Sequence, residues 1–228
     1  MNAYIYGMKK ELPVEFNDYF VISETAVVEI DMCRGHLGTE PDVTAPCSRG
    51  REIIAPVNKF NNEARRMGIP IIHVRTINRK TGIDDLKGNK AAWRRVSPLV
   101  GGPRPYADMH NVEGSKWCDF MVDVEEKDLT VNTKKRLSAF YPSDLEFLLR
   151  NLRASTIIIT GVMTDCCILS SSFDGSNRGF KVIVPMDLTR GYSPEMEDAA
   201  LKIISHYLGL VVESNDLVET WKKGVVKG

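Results

Sequence analysis

Ser155-Thr156-Ile157-Ile158-Ile159-Thr160-Gly161-Val162-Met163-Thr164-Asp165-Cys166-Cys167 is the stretch on which the fold turns. A β-branched apolar run ends in glycine, a short turn follows, and Ile168-Leu169-Ser170-Ser171-Ser172-Phe173 opens a new segment. The run is apolar at consecutive positions rather than alternate ones. It therefore predicts a strand buried on both faces, as in a parallel sheet covered by helices. The turn delivers a cysteine to the place where strand hands over to helix. Backbone N–H groups point outward there and the helix dipole favours a thiolate, so the position suits a nucleophile.

Outward from this unit the same alternation repeats. Ala26-Val27-Val28-Glu29-Ile30-Asp31 reads as a strand ending in an acid, and Glu29 is out of place in a strand that should be buried. A helix is expected over 50–67, with Pro56 near its start and Gly68 as its C-cap. Strands follow at 70–75 and 128–134. The segment between them, 77–117, holds Gly, Pro and Trp with weak periodicity and reads as an excursion with short helical pieces. A helix over 143–152 shows Leu145, Leu148, Leu149 and Leu152 on one face. Strands at 180–184 and 210–212 and a helix at 194–207 complete the set. Residues 1–22, with Pro13, read as an irregular arm, and 23–228 as one α/β domain. In such sheets ligands sit beyond the carboxyl ends of the strands, the edge at which Asp31, Lys134 and Cys167 all fall.

Composition narrows the function. Among 228 residues, Lys plus Arg and Asp plus Glu number 30 each, so there is no basic excess and nucleic acid is not expected as a partner. The N-terminus lacks the apolar core of a signal peptide, and no apolar run approaches the roughly 18–20 residues of a membrane span. A soluble cytoplasmic protein is expected. Five cysteines, Cys33, Cys47, Cys118, Cys166 and Cys167, show no Cys-x-x-Cys spacing, so neither a disulfide framework nor a structural zinc site is expected. Cys166 and Cys167, as neighbours, are expected to point in different directions. The four histidines, His36, His73, His110 and His206, are scattered without metal-ligand spacing, and no metal or cofactor is assigned.

A thiol with a pKa near about 8.5 needs a base or a cation beside it. Asp31 can take the proton and return it to a leaving amine, and Lys134 can hold the carboxylate and stabilise the sulfur. The chemistry that follows is acyl transfer through a thioester, then hydrolysis.

Three stretches, taken in order, resemble the isochorismatase-like cysteine hydrolase superfamily. They are Val28-Glu29-Ile30-Asp31-Met32, Lys134-Lys135-Arg136-Leu137-Ser138-Ala139-Phe140-Tyr141, and Gly161-Val162-Met163-Thr164-Asp165-Cys166-Cys167. The resemblance runs from about residue 24 to the end of the chain. It implies a three-layer α/β/α fold with a six-stranded, mostly parallel sheet and a catalytic triad of Asp31, Lys134 and Cys167. It also implies a cis peptide before Met163, so that the N–H groups of Met163 and Cys167 form an oxyanion hole. Presence of the thiol favours amide substrates over the vinyl ether of isochorismate, and the N-carbamoylsarcosine amidase-like branch is the nearest in pattern. The expected activity is release of ammonia from a small N-carbamoyl or ureido acid. Nicotinamidase-type or other small-amide hydrolysis is the alternative, and a non-catalytic binding protein on the same fold a third reading. Arg190, Arg34 and His36 are candidate substrate contacts, the arginines for a carboxylate. Trp117 and Tyr141 are weaker candidates for the pocket wall. Trp221 is expected to dock on the body or on a neighbouring subunit, and the relatives' habit suggests a homo-oligomer, dimer or tetramer.

Overall fold

A computed structural model describes residues 1–84 and 90–224. The chain opens with a hairpin, β1 (Asn2–Ile5) and β2 (Met8–Glu11), followed by a 3-10 segment over Val14–Phe20. The arm expected to be irregular thus carries a hairpin and a 3-10 segment. It docks on the body through Tyr6, whose N–H donates to Ser205 Oγ at 2.9 Å. The central strands are β3 (Thr25–Ile30), β4 (Ile71–Thr76), β5 (Leu129–Lys134), β6 (Thr156–Val162), β7 (Lys181–Pro185), the two-residue β8 (Thr189–Arg190) and β9 (Gly209–Val212). Helices are α1 (Arg34–Leu37), α2 (Ile54–Arg66), α3 (Trp93–Gly101), α4 (Leu145–Asn151), α5 (Leu169–Asn177), α6 (Pro194–Ile203) and α7 (Ser214–Lys222).

The long strands lie in the order β5-β4-β3-β6-β7-β9, all parallel. β8 pairs with the end of β6, so the sheet has seven strands rather than six. Alternation sorts the strand side chains onto two faces. Val27, Ile71, Ile158 and Leu210 pack with Val57 and Phe60 of α2 and Leu217 and Trp221 of α7. Val28, Ile72, Ile157 and Val211 pack with Leu145 and Leu149 of α4 and with Leu201 and Ile204. Two apolar cores, one on each face, make the three layers. Trp221 docks on the body: it is buried, 6.0 Å ring to ring from Phe60. It belongs to α7, a helix that the sequence did not announce.

Glu29 is explained by its register. It lies opposite His73 on β4, accepts from His73 Nδ1 at 2.9 Å and from Asn61 Nδ2 at 2.8 Å. His73 Nε2 meets Asp128 at 3.2 Å, and Asp128 is clamped by Arg65 at 2.5 Å. A buried carboxylate is tolerated because every step of this chain is hydrogen-bonded. Of the excursion, α3 and short turns are seen, while residues 85–89 lie outside the described residues, as do 225–228.

β3 continues to β4 and β5 on one side, and β6 continues to β7 and β9 on the other. The chain thus reverses direction across the sheet between β3 and β6, and the crevice beyond their carboxyl ends is where such folds bind ligands.

Candidate active site

Asp31 follows β3 directly, with φ of 57°, a left-handed conformation unusual for a non-glycine residue. Its N–H donates to Val74 O at 2.8 Å, and its Oδ1 accepts from the Thr76 N–H at 3.1 Å. Both bonds aim the carboxylate back over the sheet edge. Gly161 at the end of β6 has φ of +107°, and a Cβ there would drive into the Ile30 carbonyl oxygen. Only glycine lets β6 approach β3 this closely just before Asp31.

Lys134 starts two strands away, about 10 Å at the usual strand spacing. Its long side chain crosses β4, where Thr76 Oγ1 accepts from Nζ at 2.9 Å. It ends on Asp31 Oδ2 at 2.6 Å and Cys167 Sγ at 3.5 Å. The register of β5 makes this reach feasible. Val74 pairs with Val131 but Thr76 pairs with Lys134, so β5 carries one extra residue there, a β-bulge. Plain alternation would have put Thr133 and Lys135 on the Val131 face. The bulge puts Lys134 there instead, and Lys135 pairs with Asp84 at 3.1 Å.

Cys167 lies in a wide π turn, Thr164–Ile168, entered through a cis peptide between Val162 and Met163. All three side chains are buried: Asp31 at 0 %, Lys134 at 2 % and Cys167 at 5 % exposure. Burial by itself raises the Asp31 carboxyl, but the Lys134 ammonium, with His36 and hydrogen bonds from Lys134 and Cys167, outweighs it and holds the group below the ordinary carboxylate range. Burial disfavours the Lys134 ammonium, yet the charges of Asp31 and Cys167 raise its pKa above the ordinary lysine value. Cys167 is pushed well above a free thiol by its hydrogen bond with Cys166 and by burial, with Lys134 pulling the other way. The same hydrogen bond lowers the Cys166 thiol. A carboxylate held below its ordinary range beside a thiol held above its own is the arrangement that general-base catalysis uses.

These residues floor a cavity of about 1270 Å³. Met163 and Cys166 line it too. Cys166 does not point away from its neighbour, since the two Sγ atoms are 3.9 Å apart. His36 also lines the cavity; its Nδ1 bonds Ala45 O at 2.7 Å, and burial lowers its pKa despite the pull of Asp31. The two candidate clamps are placed elsewhere. Arg34 pairs with Glu40 at 3.0 Å on α1 and is absent from the cavity wall. Arg190 alternates outward from β8, where it meets Glu52 at 3.3 Å, while Thr189 points inward to Thr164 Oγ1 at 2.7 Å. Trp117 is buried away from the cavity, and Tyr141 is exposed.

Several wall residues were not anticipated. Thr76 ends β4 at the same sheet edge as Asp31, and its position alone could have flagged it. His110, ring to ring with His36 at 4.7 Å, and Trp93 and Arg104 come from the excursion, where no periodicity points to them. Among the described residues Arg104 makes no ion pair. It is half-buried, its guanidinium lies 5.8 Å from the Tyr192 ring, and its charge reaches His36. No group of three His, Cys, Asp or Glu side chains among the described residues is placed to hold a metal ion. His73 is sealed within the sheet by its two carboxylates. Among the described residues, no helix is long and apolar enough to cross a membrane.

The sheet order, the crevice and the strand-end residues define a three-layer α/β/α architecture with a parallel sheet, and comparison with known proteins gives its family. The Isochorismatase domain matches residues 25–216, and the chain belongs to that family. It is 26 % identical over 195 residues to the N-carbamoylsarcosine amidase of Arthrobacter sp., covering 85 % of this chain and 70 % of that protein. It is 27 % identical over 206 residues to the ureidoacrylate amidohydrolase RutB of Pseudomonas syringae pv. syringae, covering 87 % and 84 %. Among solved structures, a cysteine hydrolase from Pseudomonas syringae pv. phaseolicola superposes with a TM-score of 0.77 at 22 % identity, covering 90 % of this chain and 95 % of that one; it supports the fold alone.

Proposed function

We propose that this protein is a cysteine-dependent amidohydrolase that releases ammonia from a small N-carbamoyl or ureido acid, such as N-carbamoylsarcosine, through a thioester. The observation that carries the reading is the single Lys134 ammonium that touches both the Asp31 carboxylate and the Cys167 sulfur on the cavity floor. Asp31 takes the thiol proton as Cys167 attacks the carbonyl carbon. The N–H groups of Met163 and Cys167 receive the developing oxyanion, each such donor contributing about 10²–10³ in rate. Protonated Asp31 gives the proton to the departing ammonia, then serves as base for the water that opens the thioester. Lys134 keeps its proton throughout; it holds the carboxylate and offsets negative charge on sulfur. Arg104 takes the place of Arg34 and Arg190 as the cation for the substrate carboxylate, since it lines the cavity and is not consumed by an ion pair among the described residues. Cytoplasmic location and a homo-oligomeric state belong to the same proposal.

A wall of Trp93, Val96, Met163, Tyr192 and Met196 also suits an aromatic amide, which is the specific ground for nicotinamidase-type activity as the second reading. The test is ammonia release from N-carbamoyl amino acids, ureidoacrylate, biuret, maleamate and nicotinamide, with Cys167→Ala beside the wild type. Turnover that the variant lacks supports the thiol amidase, and the best substrate selects between the readings. A folded wild type silent on every acid would sink the favoured one.

A further inference from the structure

The proposed mechanism uses one thiol of the adjacent pair and leaves Cys166 without a task. Cys166 is half-buried, lines the same cavity as Cys167, and holds its Sγ 3.9 Å from that of Cys167. The other cysteines are each engaged elsewhere. Asn111 Nδ2 donates to Cys33 Sγ at 3.2 Å, Cys118 points to Val112 O at 3.3 Å, and Cys47 faces the Gly191 carbonyl at 3.9 Å. Neighbours on a regular α-helix point about 100° apart. The π turn over Thr164–Ile168 has more residues per turn and a smaller angular step, and both sulfurs end on one cavity wall.

We propose that Cys166 and Cys167 form a bidentate dithiol site for monosubstituted trivalent arsenicals, R–As=O. The reaction balances without electron transfer: two S–H bonds and the As=O bond break, two As–S bonds form, and both protons leave with the oxygen as one water. A three-coordinate arsenic brings its own carbon ligand and needs only two from the protein. A bare divalent metal needs more, and the described residues supply no set of three. The Lys134 ammonium, 3.5 Å from Cys167 Sγ, repels a dication but leaves a neutral dithioarsenite undisturbed. Direct disulfide formation is a poor competitor. Consecutive Cα atoms are about 3.8 Å apart, whereas unstrained disulfides span about 4.4–6.8 Å. Capture at this site occupies the proposed nucleophile and closes the cavity floor.

Phenylarsine oxide is the probe, added at one equivalent to the full, reduced chain after the reductant has been removed. Expected are an intact-mass gain of one phenylarsenic group and the loss of two titratable thiols. Reversal by a vicinal dithiol is expected, and not by the same concentration of a monothiol. Cys166→Ser should bind the probe about 100-fold more weakly, the scale lost when a two-point attachment becomes one-point. Cys167→Ser, which needs no activity to be informative, should weaken capture likewise. Consumption of one thiol or none, or undiminished two-thiol capture in Cys166→Ser, overturns the proposal. Because mass and thiol count are the readouts, its failure is distinct from failure of the amidase reading.

Discussion

Replacing Lys134 with Met keeps the length of the side chain and removes the charge that balances Asp31. Both residues are buried, with the ammonium 2.6 Å from the carboxylate. Without it, the burial that already pushes the Asp31 carboxyl up is opposed only by His36 and the Cys167 hydrogen bond. Two routes lead to a similar cost. Removing one partner of a buried ion pair typically costs about 3–5 kcal/mol. Alternatively, the folded variant takes up a proton on Asp31. An unfolded aspartate has a pKa of about 3.9, so neutralising it at pH 7 costs about 1.36 kcal/mol for each of roughly three units, near 4 kcal/mol. The second route carries a sign. In the wild type the depressed carboxyl stabilises the fold above about pH 3.9 and loses that contribution as pH falls. In the variant the folded state holds the extra proton, so its deficit should shrink by about 1.4 kcal/mol per pH unit toward pH 4. Urea unfolding of both proteins from pH 4.5 to 8 measures this. For a chain of this size the neutral-pH loss amounts to about 6–20 °C in Tm. The double variant Lys134→Met/Asp31→Asn should recover part of the loss, because the orphaned carboxylate is gone. A deficit below about 1 kcal/mol at pH 7, or one independent of pH, would refute the reasoning.

Arg104→Leu should lower kcat/KM for an acidic substrate about 10- to 150-fold, mostly through KM, since one charge-assisted hydrogen bond contributes about 1.5–3 kcal/mol. Neutral amides should be spared, and equal losses on acidic and neutral substrates would remove Arg104 from its role. Burial works against the His73 imidazolium, but its bonds to Glu29 and Asp128 prevail and raise its pKa. Its contribution is thus complete below about pH 6.5 and is lost as pH rises through the folded-state value. His73→Gln should flatten that alkaline decline in chemical denaturation, and an unchanged slope would locate the pH dependence elsewhere. Gly161→Ala puts a methyl group against the Ile30 carbonyl at φ of +107° and should cost on the order of 3 kcal/mol, measured by urea unfolding. It should also abolish turnover, because the displaced carbonyl immediately precedes Asp31.

The strands with dense apolar runs were legible because burial on both faces leaves a compositional mark. Ile157-Ile158-Ile159 and Val182-Ile183-Val184 needed no partner to be recognised. α7 was missed because its apolar residues, Leu217, Val218 and Trp221, are few and become a core stripe only against Phe60 and its neighbours. The hairpin over Asn2–Glu11 was missed because Tyr6-Gly7 joins strands with little alternation, and packing against the body holds them. Glu29 looked anomalous for a related reason: its partners, Asn61 and His73, are 32 and 44 residues away in the chain.

Sequence by itself determined the parallel α/β class, the strand-end placement of Asp31 and the delivery of Cys167 by a glycine turn. Each of these is local, since side-chain polarity, β-branching and the conformational freedom of Gly161 act over a few residues. The motif spacing pointed to Lys134 rather than Lys135, but only tertiary structure supplied the physical reason, a β-bulge set by pairing with β4 that changes which face each residue takes. Tertiary structure also turned Arg34 and Arg190 away from the cavity toward Glu40 and Glu52, and brought Arg104 and His110 in. Those outcomes depend on which distant charge or strand lies alongside, and a linear chain does not carry that information in any single stretch.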